Sequence, residues 1–481
     1  FKFISFYSDA SPKASVVNSG IMKPPLTSKT NSLPVPQSLI DLLQCPQSKE
    51  NLKWDGSDFK NPAGLSYPLL GSIPWLLPYP ASALDHWIGK QTELNAYFKQ
   101  RVEKLQDQQK QKNLSAITRQ RLNTLEKALL HNQKILGDCL TPLAQQNSNK
   151  QTEINDKIPA HQSLTLYMRN LFRDWCWQSN ENQDSLNILQ KILPQSWAPK
   201  KFLTLGCGSS RLPLDLHQKF NLSYSVAVDF NPLLILFAQQ MLENKKIKLY
   251  ELPLAPIELS QVAIENELKN PYSKIKNFHL LFADALHLPF KDKSFDSLLT
   301  PWFIDIVPIH FELLAQRVNR VLEPSGEWIN FGPLGFMFSD EHQCFTFEEI
   351  QETLTAQGFR LEKYSIDLVP YLESPNSTQK RFEKVLSFRA TKICDCEEKK
   401  FQYLPDWLLD HNMTVPLNSH VQELQLKAKV NADIIFSIDG KKSINDLANL
   451  MSSHYKMEVG LARSTIVTYL NKFYESRVRR Y

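Results

Sequence analysis

The sequence has no run of about 18 apolar residues, so no segment reads as a membrane-spanning helix. Nor has it a surplus of charge of one sign: 55 Lys and Arg against 50 Asp and Glu leave a formal net charge of +5 over 481 residues. That is too little for a nucleic-acid surface, and the one basic cluster, RVRRY at the end, reads as a solvated tail. The seven cysteines show no regular spacing, which argues against a secreted disulfide framework and for a reducing cytoplasm. The opening FKFISFYSDASPKASVVNSG has no Met at its head, no charged front before a long apolar centre and no clear cleavage site. Met22 is a candidate start, and residues 1–32 read as disordered. No internal repeat is visible.

What is present is the composition of a globular chain, 42% hydrophobic, 11% aromatic and 22% charged. Its length allows roughly two to four domains with substantial cores. Residues 33–82 space Pro and Gly as short strands and turns do, ending in LSYPLLGSIPWLLPYP. Residues 83–145 are rich in Gln, Lys and Leu with apolar positions three and four apart, and Ser115 is placed to cap a second helix. This predicts a helical hairpin, either packed on the body of the protein or standing out as a coiled interaction arm. After the polar linker AQQNSNKQTEINDK, residues 160–392 alternate apolar strands, at 201–206, 224–229, 279–284, 295–300 and 326–332, with helix-like segments. That alternation predicts an α/β domain with a parallel sheet covered on both faces. A last module is expected over 411–478, with Asp439-Gly440 as a turn and Ser443 as a helix cap.

Within the α/β region FLTLGCGSSRLPLDL, Phe202 to Leu216, places Gly206 and Gly208 between an apolar strand and a helix. Such a turn lies where ligands bind in a doubly wound sheet, and glycines there let the chain bend and let a ligand meet the backbone. The same turn also serves packing alone. Acidic residues at later strand ends favour a ligand: Asp229 in YSVAVDFNP, about twenty residues on, suits a pair of ribose hydroxyls. Asp284, in LLFADALHLPF, suits an adenine edge. A dinucleotide would ask for a third glycine where Arg211 stands.

Taken in order, the glycine turn, the strand-two Asp229-Phe230, the FADA segment with Asp284-Ala285 and the FD of strand four resemble the class I S-adenosylmethionine-dependent methyltransferases over residues 198–390. Thr204 stands where those enzymes commonly carry an acid, so the contact to the methionine amino group has to come from elsewhere. The turn Gly206-Cys-Gly-Ser-Ser-Arg211-Leu212, the segment Arg173-Asp174-Trp175, Phe303-Ile304-Asp305 and Trp328-Ile329-Asn330-Phe331-Gly332-Pro333-Leu334 resemble the carnosine N-methyltransferase-like branch. So does the long insertion before strand three. The resemblance implies an α/β, Rossmann-like class I methyltransferase core with S-adenosyl-L-methionine as cofactor. It implies that Gly206, Gly208, Arg211, Asp229, Phe230, Asp284 and Ala285 hold that cofactor and that Asp305 faces the methyl acceptor. The other readings are a surface ion pair for Arg211, a cap or partner of Arg173 for Asp174, core packing for Trp175 and Trp302, and a structural helix start for His310. The branch's tyrosine and histidine after Gly-Pro-Leu are absent from Gly335-Phe336-Met337-Phe338, so carnosine itself is not expected as the acceptor.

The end modules carry resemblances of their own. SYPLLGSIPWLL and Cys45-Pro46 resemble the small zinc-ribbon-like partner of tRNA and protein methyltransferases. Ser48 replaces its second cysteine and no later pair follows, so no metal is expected. IIFSIDGKKSINDLANLMSSHY resembles the PqqD-like peptide-binding domains, which implies a C-terminal winged-helix-like module that binds a peptide. The expected function is methylation of an amine or imidazole of a small molecule or peptide. Methylation of RNA or a translation factor, and a catalytically silent scaffold, are the alternatives.

Overall fold

The computed structural model describes residues 33–146, 163–177, 180–336, 341–399 and 413–478. The expected disorder of residues 1–32, most of the polar linker and Met337-Phe338 lie outside them. The chain divides into two compact units, Phe1–Phe401 and Gln402–Tyr481.

The first unit opens with α1 (Gln37–Ile40), then β1 (Lys53–Trp54), β2 (Phe59–Lys60), β3 (Ser66–Tyr67), β4 (Leu69–Leu70) and β5 (Ile73–Leu76). Three helices follow, α2 (Pro80–Gln109), α3 (Ala116–Cys139) and α4 (Thr141–Ala144), and then α5 (Met168–Trp175) and α6 (Glu181–Ile192). The α/β core proper is β6 (Phe202–Leu205), α7 (Arg211–Lys219), β7 (Ser225–Asp229), α8 (Pro232–Leu242), β8 (Ile247–Glu251), β9 (Ile264–Leu268), β10 (Phe278–Ala283), β11 (Phe295–Pro301), α9 (Phe311–Val321) and β12 (Leu322–Gly332). It closes with α10 (Phe347–Ala356), β13 (Phe359–Pro370) and β14 (Phe382–Lys392).

Nine strands form one sheet in the order β13-β14-β12-β11-β6-β7-β10-β5-β4. Its central strands run parallel and are buried on both faces, which is why β6 (FLTL) and the SVAV of β7 read as continuous apolar runs. α8, apolar nearly all round, starts where the Asn231 side chain accepts the Leu233 amide and Pro232 takes the first turn.

The segment read as a separate module at 33–82 supplies part of this sheet. β5 pairs parallel with β10, Trp75 opposite Phe282 and Leu76 opposite Ala283. All four residues of β5 are buried, and the Trp75 and Phe282 rings lie 5.0 Å apart. An open edge on β10 would invite other chains, and β5 with β4 covers it. The β1-β2-β3 ribbon beside them is tied by hydrogen bonds: Cys45 Sγ lies 3.1 Å from the Tyr67 hydroxyl and accepts from the Ser48 amide at 3.4 Å and Asn61 Nδ2 at 3.6 Å. Among the described residues no group of three His, Cys, Asp or Glu is arranged to hold a metal ion.

The helical hairpin packs on the core and does not stand out as an arm. Ser115 caps α3 by accepting the Thr118 amide. Buried Asn132 exchanges two hydrogen bonds with the Tyr250 backbone of β8, donating at 2.7 Å and accepting at 2.8 Å. Among the described residues no helix is long and apolar enough to cross a membrane.

The described residues of the second unit form three helices, Ser419–Ser437, Ile444–Tyr455 and Val459–Val478, around Ile434, Leu447, Ala448, Met451, Ala462 and Ile466. Asp439 Oδ1 accepts the Lys441 and Lys442 amides in the turn, and Ser443 caps the second helix. No strand forms among its described residues, so the expected wing is not seen among them. The polar, glycine-bearing IDGKKS makes a tight turn between helices instead.

Candidate functional site

Strand order reverses between β6 and β11, so the crevice of the sheet opens at their carboxyl ends. The β6–α7 turn sits there with Gly206, Gly208 and Ser210 all in the left-handed region, at φ 65°, 56° and 67°. The two glycines serve different ends. A Cβ on Gly206 would lie 2.2 Å from Phe303 Cδ2, whereas one on Gly208 would meet nothing within 4 Å. Gly206 makes room for a protein ring, and Gly208 keeps an open backbone face.

Asp229 closes this turn from the end of β7. Its Oδ2 accepts the Gly208 amide at 2.9 Å and its Oδ1 the Asn231 amide at 2.9 Å. Burial pushes its carboxyl up to about 6, against the pull of these amides. The Phe230 amide acts on the carboxylate as well, and its remaining acceptor capacity is what a ligand hydroxyl could use. Phe230 is half-buried, 6.1 Å from the Trp87 ring of α2. Asp284, after β10, accepts the Leu286 amide at 2.9 Å and faces His287 Nδ1 at 2.7 Å, with Ala285 buried beside it.

α5 grips the same turn from outside the sheet. Asp174 Oδ1 accepts from Arg173 Nε at 2.6 Å and its Oδ2 from the Ser209 hydroxyl. Trp175 Nε1 donates to Ser209 Oγ at 3.1 Å. Arg211 donates through Nη1 to the Asp174 carbonyl at 2.7 Å and through Nε to Asp215 at 2.7 Å, with its guanidinium 5.8 Å above the Trp175 ring. The expected carboxylate-binding fork of Arg211 is thus engaged in an intrahelical ion pair, and Trp175 is core. Thr204 is wholly buried with no partner for its hydroxyl, and it is Asp174 that brings a buried carboxylate to the turn.

On the other side of the crevice, β11 runs into a strained loop. Trp302 has φ 51°, rare for a bulky residue, and is held by its amide on the Phe331 carbonyl at 2.6 Å. Gly332 permits the approach, since a Cβ there would lie 3.0 Å from Trp302 Cα. Three residues on, Asp305 is buried and accepts the Gly335 amide at 3.0 Å. Burial, with Glu383 nearby, pushes it up to about 6. Tyr371, at the tip of the β13–β14 hairpin, lies 4.7 Å ring to ring from Trp302, under Arg381 at 4.9 Å. The Tyr167 phenol is pushed up by burial and by its neighbours Asp229 and Tyr371, which links the two sides. His310 caps α9 through the Glu312 amide and packs edge-on to Phe345 at 4.7 Å, a structural role. The Cys207 thiol is buried and pushed well up, so it is not a nucleophile.

The structure therefore gathers Gly206, Gly208, Arg211 and Asp229 at one turn, with Phe230 next to Asp229 after β7, and puts Asp284-Ala285 and Asp305 beyond the ends of the flanking strands. Sequence reasoning missed Ser209, Tyr167 and Tyr371. Ser209 lies inside the quoted glycine turn, but its role depends on Asp174 and Trp175 of α5, and Tyr167 and Tyr371 reach the site only through tertiary contacts.

A family model described as carnosine N-methyltransferase matches residues 150–393. The carnosine N-methyltransferase of Dictyostelium discoideum is 23% identical over 251 residues, 47% of this chain and 53% of that protein. That of Rattus norvegicus is 24% identical over 281 residues, 50% of this chain and 67% of that protein. The match thus spans about half the length of the first relative and two thirds of the second. Among solved structures, an S-adenosylmethionine-dependent methyltransferase of Methanosarcina mazei is 18% identical, covering 43% of this chain and 98% of its own, at a TM-score of 0.31. Phosphoethanolamine N-methyltransferase 2 of Haemonchus contortus, in complex with phosphomonomethylethanolamine and S-adenosylhomocysteine, is 18% identical over 39% of this chain and 38% of its own, at 0.27.

Proposed function

Since the chain belongs to the carnosine N-methyltransferase family by the match over residues 150–393, we propose that it is an S-adenosylmethionine-dependent N-methyltransferase acting on an amine or imidazole of a small molecule or peptide. The observation that carries this reading is the Gly208 turn, open on its backbone face and tethered to Asp229, beside the strand that leads to buried Asp305. The residues fit the cofactor. Asp229 has lone pairs for the ribose hydroxyls, Gly208 leaves room for the ligand against the backbone, and Phe230, Asp284 and Ala285 take the adenine side. Asp174, and not residue 204, supplies negative charge for the amino group. Arg211, if it takes the methionine carboxylate, has to share its fork with Asp215.

The bound sulfonium would supply an activated methyl group, so the protein needs no metal and no covalent nucleophile for this chemistry. Its own work is to align an acceptor nitrogen and keep water out. Asp305, raised by burial, orients that nitrogen and takes its proton. Trp302 and Tyr371 give the acceptor an aromatic wall. Gly335 and Phe336 offer neither phenol nor imidazole, so the acceptor is an amine or imidazole compound other than carnosine.

The β-rich start is a zinc ribbon that has lost its metal, and the three-helix unit is a PqqD-like peptide binder that delivers a peptide acceptor. The protein acts in a reducing cytoplasm, consistent with seven unpaired cysteines. Calorimetry with S-adenosylmethionine and S-adenosylhomocysteine, on the whole chain and on Asp229→Ala, tests the reading. Micromolar binding abolished by the substitution supports it, and no binding by the unchanged protein makes the fold a scaffold. Methyl transfer is then sought with a pool of amine and imidazole metabolites, and peptide capture is compared with and without residues 411–481.

A further inference from the structure

Glu251, the last residue of β8, is buried and distant in sequence from the catalytic loops. Yet it is the hub of a hydrogen-bonded cluster. Oε1 accepts from the Ser374 hydroxyl, while Oε2 accepts from Trp177 Nε1 at 3.0 Å, Asn376 Nδ2 at 3.3 Å and Asn266 Nδ2 at 3.4 Å. No cation pairs with it directly among the described residues. Arg169 acts on it from a distance, with its own guanidinium donating to the Leu372 carbonyl at 2.6 Å. A buried carboxylate costs several kcal/mol unless its lone pairs are satisfied, and here neutral donors satisfy them.

Two of those donors, Ser374 and Asn376, belong to the tip of the β13–β14 hairpin. The tip is fastened to the same strand's continuation by Ser377 Oγ accepting the Leu254 amide at 2.9 Å and by Thr378, which donates its hydroxyl to the Ala255 carbonyl at 2.8 Å. Three residues before Ser374 stands Tyr371, whose ring meets Trp302 next to Asp305. On the far side, β8 is itself held by Asn132 of α3.

We propose that Glu251 is a positioning residue of the acceptor pocket: it pins the hairpin tip 371–378 so that Tyr371 stays against Trp302. This rests on the methyltransferase reading for what the pocket holds, but the pinning is testable without any acceptor. In the full chain, Glu251→Ala should raise amide hydrogen exchange across 371–378 at least about tenfold and leave affinity for S-adenosylhomocysteine within about twofold. Glu251→Gln keeps the acceptor oxygen facing Trp177 and the asparagines and should restore protection. With an acceptor from the metabolite pool, Glu251→Ala should raise its KM about tenfold while the cofactor KM stays unchanged. If Glu251→Ala does not fold, Ser374→Ala with Asn376→Ala removes the same bonds from the hairpin side. Unchanged exchange at the tip in the folded variant, or a cofactor affinity that falls together with it, overturns the proposal. Failure of every acceptor with normal pinning would count against the enzyme reading and leave the pinning intact.

Discussion

Asp229 and Asp305 share an electrostatic condition that fixes how they respond to pH. Burial raises both to about 6 from an ordinary 3.8, so the folded chain holds these protons more tightly than the unfolded one. Their contribution to stability is therefore present below about pH 4, falls as pH rises from about 4 to about 6, and is flat above. On the proposed methyltransferase reading function has the opposite sign, since both would act as anions. Cofactor affinity should rise through about pH 6, and Asp229→Asn should abolish that dependence in calorimetry. At saturating cofactor the methylation rate should climb through the same range. Asp305→Asn should flatten that limb and slow transfer about a hundredfold, with cofactor affinity unchanged. The two glycines separate at the same scale. Gly208→Ala meets open space, costs about 1 kcal/mol of left-handed strain and is expected to weaken cofactor binding. Gly206→Ala drives a Cβ to 2.2 Å from the Phe303 ring, so a thermal melt should show a loss of about 3 kcal/mol or more.

Strands and helices differ in how plainly the sequence declares them. β6, β7, β10, β11 and β12 were legible because a parallel strand buried on both faces has to be apolar throughout. β13 escaped notice because it reads FRLEKYSIDLVP and is mostly solvent-facing; its place is set by pairing with β14. β5 was read inside a turn-rich ribbon, since four residues, IPWL, cannot announce that their partner lies two hundred positions on in β10. Asp229 and Asp284 were legible because each ends an apolar strand that follows the glycine turn, and Asp305 because Phe303-Ile304-Asp305 matches the resemblance. For Ser209 and Glu251, what no spacing announces is their partners: Asp174 lies 35 residues from Ser209 and Ser374 lies 123 from Glu251. α3 illustrates the same point with a measurable consequence. Asn132 serves β8 as a substitute strand partner, so Asn132→Ala leaves a half-buried amide and carbonyl of Tyr250 unpaired. The expected loss is about 2 kcal/mol by chemical denaturation, with no change in Ser115-capped helix content by circular dichroism.

At the scale of the whole molecule, the two terminal additions differ in whether they share the sheet. All residues of the candidate site lie in the unit Phe1–Phe401, and Gln402–Tyr481 has its own apolar centre. A chain ending at 401 should therefore bind S-adenosylhomocysteine with affinity within about twofold of the full protein. The β-rich start has no such independence, because β5 is a strand of the nine-stranded sheet and Trp75 is fully buried against Phe282, one residue before Ala283 and two before Asp284. Trp75→Ala should cost about 3–5 kcal/mol of stability from the cavity alone. It should also weaken cofactor binding, because the end of β10 that carries Asp284 loses its support on that side. If Trp75→Ala melts earlier but binds cofactor normally well below its midpoint, the start of the chain is a cover for the sheet edge; if both fall, it is part of the cofactor site's foundation, which is the outcome the pairing of β5 with β10 predicts.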